Sequence, residues 1–164
     1  MKVIFLDIDG VLNANEDFGG RNKPNPSIHG ILGITTTRIK RLKQIVDKTN
    51  AKIVLTSSWK EAYINNTKYH VNIYGRYLRE KLRKSDIYIF DTTLDYESKG
   101  SEYRGAGIKA WLAAHKNVTN WIVLDDQIFC DYDKDIIDHL IKTSYQTGLT
   151  DELVNKAIDM LNQE

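Results

Sequence analysis

The sequence predicts an α/β protein, a three-layer α/β/α sandwich built on a Rossmann-like, mainly parallel sheet. Three observations predict it. Apolar runs at 3–6, 53–55, 87–90 and 121–124 lack polar alternation, as strands covered on both faces do. Segments with helical periodicity separate these runs, and that alternation yields a parallel sheet. Three of the runs end directly in Asp7, Thr56 and Asp125, at the strand ends where open parallel sheets bind ligands.

Val3-Ile4-Phe5-Leu6 is the first strand. Residues 14–33 are punctuated by Gly19, Gly20, Pro24, Pro26, Gly30 and Gly33. An irregular stretch of about twenty residues in a compact domain is usually functional or carries a small element of its own, so a flap beside the site is expected there. Thr35 or Thr36 caps a helix whose apolar face is Ile39, Leu42, Ile45 and Val46. Residues 52–55 are the second strand. A helix starts near Trp59. Another spans 71–84, with Val71, Tyr74, Leu78 and Leu82 on one face, and residues 87–90 are the third strand. The stretch 59–90 therefore contributes two helices and a strand. Residues 91–104, with Gly100, read as a polar loop. A helix over 105–115 buries Ile108, Trp111 and Leu112. Residues 121–124 are the fourth strand and 139–143 a short fifth. Leu153, Ala157, Ile158 and Leu161 make the last helix amphipathic.

The length fits one domain over 1–164, and 41% hydrophobic with 27% charged residues is ordinary for a globular chain. A net charge of +1 exerts no general pull on nucleic acid, so any such site must be a local patch. Two patches qualify. One is Arg38, Lys40, Arg41 and Lys43. The other is Arg76, Arg79, Lys81, Arg83 and Lys84, with Tyr69, Tyr74 and Tyr77 nearby. Each is either a solvated helix face or a track for phosphates with tyrosines for stacking. Cys130 is the single cysteine, which rules out an internal disulfide and points to a reducing, cytoplasmic compartment. The apolar run before Asp7 is too short for a signal peptide or a span, so no membrane partner is expected.

The chemistry lies at the strand ends. Asp7, Asp9, Asp125 and Asp126 converge on one edge of the sheet, and four carboxylates together repel unless a cation neutralises them. An oxygen-only set suits Mg2+, which takes a few carboxylates and keeps room for water and substrate oxygens. No Cys/His cluster has zinc spacing. Gly10 lets the chain turn just after Asp9, so the two aspartates can take different roles. A metal-bound Asp7 stays ionised and can attack phosphorus, while Asp9 carries a proton for the leaving oxygen.

Asp7-Ile8-Asp9-Gly10-Val11-Leu12-Asn13, behind Phe5-Leu6, resembles the first motif of the haloacid dehalogenase (HAD) superfamily. The resemblance implies an HAD-like phosphatase fold with a minimal cap and an open site, and specificity elements in the stretch 59–90, between the second and third motifs. It implies Asp7 as nucleophile and Asp9 as acid/base and donor of a backbone carbonyl to Mg2+. Thr56 is then the phosphoryl-binding hydroxyl, with Ser57 its neighbour. A third-motif cation is expected at Arg104, in Tyr103-Arg104-Gly105-Ala106, with Lys109 and Lys99 as rivals. The fourth-motif pair is Asp125-Asp126, with Asp126 the metal ligand, Asp125 beside it and Asp131 a further contact. Backbone N–H groups near Gly10 and the Lys109 amine would add to phosphate binding. Leu55-Thr56-Ser57-Ser58-Trp59-Lys60, Ile108-Lys109-Ala110-Trp111-Leu112, and the tail His139-Leu140-Ile141-Lys142-Thr143 before Gly148-Leu149-Thr150 are similar to the HAD domain of Swiss Army knife RNA repair proteins. That similarity implies a phosphorylated partner such as a nucleotide, a nucleic-acid end or a small phosphate ester.

Other readings stand beside this one. An EF-hand needs further ligands and a closing Glu at fixed offsets, which are missing. A receiver-like signalling module also combines aspartates, a hydroxyl and a lysine with magnesium, but its acceptor ends a middle strand. A metal-dependent nuclease would cut internal phosphodiesters. Trp59 belongs to the core or lines the pocket, Trp111 and Trp121 to the core, and Cys130 packs as a small hydrophobe. His29, His70, His115 and His139 share no ligand or triad spacing.

Overall fold

In the computed structural model the described residues are 1–18, 27–28, 31–64, 73–94 and 103–163. A five-stranded, wholly parallel sheet forms the middle layer. Its strands are β1 (Lys2–Leu6), β4 (Lys52–Leu55), β5 (Ile89–Thr92), β6 (Asn120–Asp125) and β7 (Leu140–Lys142), in the order β5-β4-β1-β6-β7. β1 is central, pairing with β4 and β6 in matched register, Leu6 opposite both Leu55 and Leu124. The expected α/β/α sandwich is therefore the observed one.

The continuous apolar runs divide between two cores, because successive side chains leave a strand on opposite faces. Ile4, Leu6, Ile53, Leu55, Ile122 and Leu124 face one core. There they meet α1 (Thr36–Thr49), α3 (Ile73–Arg83) and α6 (Asp151–Asn162). Val3, Phe5, Val54 and Val123 face the other, against Ile108 and Trp111 of α4 (Arg104–Ala114) and Ile136 of α5 (Lys134–Asp138). The helices start where the sequence supplies caps. The side chain of Thr35 accepts from Arg38 N at α1, Asp133 from Ile136 N at α5, and Thr150 from Leu153 N at α6. α2 (Trp59–Ile64) follows β4 and packs on α3.

Several details correct the sequence reading. The third strand is displaced from 87–90 to Ile89–Thr92. Ile87 instead closes α3. Its N–H donates to Leu82 O across the left-handed Asp86 (φ +52°), and its side chain is buried with Leu82. This is how a helix satisfies its last carbonyls, and it removes Ile87 from the ladder. The basic cluster on α1 is no open track. Arg38 is fully buried, donating to Asp17 Oδ2 (2.9 Å), Glu16 and Leu149 O (2.7 Å). Arg41 pairs with Asp151, and Lys43 pairs with Asp47. Of residues 14–33, a 3-10 turn at Asn15–Asp17 and a small antiparallel hairpin, β2 (Ser27–Ile28) with β3 (Ile31–Leu32), are described. Residues 19–26, 29–30, 65–72 and 95–102, with Val71, Tyr69, His29, His70, Lys99 and Gly100, lie outside the described residues. Cys130 is exposed rather than packed in the core. His115 and His139 stack on Trp111 and Trp121. Among the described residues no helix is long and apolar enough to cross a membrane.

Candidate active site

The register of the sheet builds the site. Beyond Leu6 the ladder continues by one residue on each side: Asp7 N donates to Leu124 O (2.9 Å) and Thr56 N to Leu6 O (2.9 Å). Thr143 N likewise donates to Asp125 O (2.9 Å). Asp7, Thr56 and Asp125 therefore stand level at three adjacent strand ends. By strand alternation they share the face of Phe5, Val54 and Val123, the face covered by α4. α4 points its amino end, and Arg104, at them.

One oxygen from each of Asp7, Asp125 and Asp126 lies within 4.8 Å of the others. Asp7 and Asp125 are buried and Asp126 is half-buried. Arg104 Nη1 bridges the first two, 2.6 Å from Asp125 Oδ2 and 3.2 Å from Asp7 Oδ1, while its guanidinium lies over the Phe129 ring. Burial pushes the Asp7 carboxyl up to about 6; Arg104 opposes that rise, Asp125 adds to it, and a hydrogen bond from Ser57 opposes it. Asp125 is raised by burial against the pull of Arg104, and Asp126 by burial and then by Asp7. Three carboxylates raised together form a site that favours a proton or a metal ion. All its donors are oxygens, which fits Mg2+. A further oxygen faces the same level: the Thr56 hydroxyl is buried and has no hydrogen-bond partner among the described residues. A buried hydroxyl without a partner is costly, and a ligand oxygen or an ordered water would relieve it.

Asp9 is placed apart from the triad. Its Oδ1 accepts from Asn13 Nδ2 (2.8 Å) and its Oδ2 from Trp59 Nε1 (2.9 Å). The carboxylate expected to act as acid/base is held there by two neutral donors, and the Asp9 backbone carbonyl is the group expected at the metal. Trp59 is both core and site. It is buried against Tyr74 and Tyr77, and its indole N–H reaches Asp9.

Gly10 has φ +68°, and a Cβ there would lie 2.5 Å from the Asp126 carboxyl carbon. The turn and the approach of Asp126 both require glycine. The Gly10 N–H, expected to face substrate, donates instead to Asn13 Oδ1 (2.9 Å), so Asn13 fixes the turn and Asp9 together. Lys109 is not with the cluster; it pairs with Asp133, and both side chains are half-exposed. Five residues beyond Arg104, it lies about 7.5 Å further along α4 and roughly 140° around it. Asp131 holds the helix that carries Arg104: its Oδ2 accepts from Ala106 N (2.8 Å), and a Cβ on Gly105 would lie 2.6 Å from its backbone oxygen.

Two residues of the site were given no role by the sequence. Tyr132 OH donates to Asp125 Oδ2 (3.1 Å), and burial keeps that phenol protonated. Lys142 Nζ donates to Asp126 O (2.9 Å) at the rim. Asn13 stands in the Asp7–Asn13 motif, but the sequence reading gave it no role.

No curated protein and no solved structure matches the chain. The model of one family, described as the HAD domain in Swiss Army Knife RNA repair proteins, matches residues 3–154. With nearly the whole chain covered, and the acidic triad at its strand ends, the chain belongs to that HAD domain family.

Proposed function

We propose that the protein is a Mg2+-dependent phosphomonoester hydrolase that works through an aspartyl phosphate on Asp7, with a nucleotide or a nucleic-acid end as substrate. The observation that carries this reading is the carboxylate triad of Asp7, Asp125 and Asp126, the first two bridged by Arg104, beside a buried Thr56 hydroxyl with no partner among the described residues. Asp7, Asp125, Asp126 and the Asp9 carbonyl would hold the metal. When bound, Mg2+ supplies positive charge that keeps Asp7 ionised and offsets the charge of the phosphoryl group.

An Asp7 oxygen attacks phosphorus in line, and the bond from phosphorus to the leaving oxygen breaks. Asp9 gives that oxygen its proton and then takes one from the water that attacks the aspartyl phosphate, so phosphate leaves and Asp7 is restored. Trp59 and Asn13 keep the Asp9 carboxyl in one orientation through both steps. The Thr56 hydroxyl and Arg104 bind the equatorial oxygens, whose charge is spread in flight. Ser57 steadies Asp7 by its hydrogen bond.

The test is Mg2+-dependent phosphate release from matched 5′- and 3′-phosphorylated oligonucleotides and from mononucleotides, with wild type and Asp7→Asn. Sustained release lost in Asp7→Asn supports the reading. A variant that keeps more than a tenth of the rate sinks Asp7 as nucleophile, and a single phosphorylation without turnover makes the protein a phospho-acceptor instead.

A further inference from the structure

α3 runs antiparallel to the sheet. Its amino end lies at the catalytic edge, where Tyr74 and Tyr77 pack on Trp59, the residue that holds Asp9. Its carboxyl end reaches the start of β5, an edge strand. Arg76, Arg79 and Arg83 follow each other at i, i+3 and i+7 and so share one face of the helix. Arg76 is paired with Glu80 at 3.8 Å. Arg79 and Arg83 are exposed and have no carboxylate partner among the described residues.

At that end a cleft of about 230 Å³ opens. Its floor is apolar, from Leu82 and Ile87, and its walls are Tyr63, Arg79, Arg83 and Tyr88. Arg79 sits 4.8 Å over the Tyr63 ring, and Tyr88 is 65% exposed. Guanidinium groups beside an exposed tyrosine over an apolar floor suit a ligand that repeats an anion next to a flat apolar ring. A nucleotide chain is such a ligand, and an acidic peptide lacks the ring.

We infer that this cleft, with the arginine face of α3, binds single-stranded nucleic acid upstream of the end that reaches Asp7. The position relative to Asp7 rests on the proposed phosphohydrolase reading; the cleft itself does not. From Tyr74 to Arg83 the helix spans about 14 Å, which is about four stacked nucleotides at 3.4 Å each. The cleft therefore contacts substrates longer than about four nucleotides and leaves mononucleotides untouched.

The experiment measures binding of unphosphorylated, labelled oligonucleotides of two to twelve nucleotides by fluorescence anisotropy, so that no reacting group is involved. Wild type, Arg79→Gln/Arg83→Gln and Tyr88→Ala are compared, with turnover of a small chromogenic phosphate ester as the control. Binding should tighten up to about six nucleotides and then level off. The double variant should weaken it at least tenfold and lower the salt slope by about 1.4, the value for two single-strand phosphates. Tyr88→Ala should weaken binding about fivefold at an unchanged slope. Turnover of the small ester should stay at the wild-type rate in all variants.

No binding to wild type at low salt overturns the inference. So does a double variant that binds like wild type, or polyglutamate competing as well as oligonucleotide. Oligonucleotide binding at the cleft without release of terminal phosphate would refute the nucleic-acid substrate and keep the cleft. Terminal release with no dependence on length would do the reverse.

Discussion

Replacing Arg104 by Met removes the cation that bridges Asp7 and Asp125, and with it the guanidinium that lies over the Phe129 ring. The Arg104 side chain is 13% exposed and that of Asp125 is fully buried, so solvent screens this pair little. Breaking one partner of a buried pair costs about 3–5 kcal/mol. The lower end applies here, because Tyr132 and the Gln127 N–H still hold Asp125, and both raised carboxyls can take up a proton. We expect a loss of about 3 kcal/mol in urea unfolding of the metal-free protein at pH 8, and a smaller loss at pH 5. Phosphate release should fall about a hundredfold or more, the usual effect of removing one donor to a developing anion. Lys109→Met is the matched control. Its pair with Asp133 is half-exposed on both sides and screened by solvent, so its loss should leave the stability almost unchanged and the rate within a small factor of wild type. A stability loss below about 1 kcal/mol for Arg104→Met, or equal loss of activity in the two variants, would refute the assignment of Arg104 as the cation of the site.

Three further outcomes follow from the same geometry. The native Asp7 carboxyl titrates near 6, against 3.8 in an unfolded chain, so folding favours its protonated form. Its stabilising effect is complete below about pH 4 and is lost as pH rises through 6; without metal, the stability of wild type relative to Asp7→Asn should therefore fall by about 3 kcal/mol between pH 4 and 7, and a pH-independent difference in urea unfolding would contradict it. Gly10→Ala places a Cβ 2.5 Å from the Asp126 carboxyl at φ +68°, so it should destabilise by about 1–2 kcal/mol, displace Asp126 and lower activity about a hundredfold, as read by denaturation, Mg2+ titration calorimetry and phosphate release. Trp59→Phe keeps a ring against Tyr74 and Tyr77 but removes the N–H bond to Asp9; kcat should drop about tenfold with KM little changed, whereas an unchanged kcat would make Trp59 a packing residue alone.

The sequence by itself determined the architecture and the line-up of Asp7, Thr56 and Asp125. Uninterrupted apolar runs between helical segments can only be buried on both faces, and in a parallel sheet all strands then end at one edge. Gly10 was legible for a similarly local reason, since a turn right after a strand demands freedom at φ. Local pattern also misled. Ile87-Tyr88-Ile89-Phe90 has the composition of a strand, yet Ile87 caps α3 and the strand begins two residues later. Arg38 has the composition of a solvated helix face, yet it is buried between Glu16, Asp17 and the Leu149 carbonyl.

Only the tertiary structure shows which cation pairs with the cluster. Arg104 and Lys109 lie on one helix, and nothing in their spacing says which face meets the strand ends; packing of α4 on β1 and β6 does. It also decided that the Asp9 carboxyl belongs to Trp59 and Asn13 rather than to the triad, and that Tyr132 completes the shell of Asp125. These are contacts between residues from different elements. They depend on side-chain directions fixed by the assembled core, and a one-dimensional pattern carries no record of those directions.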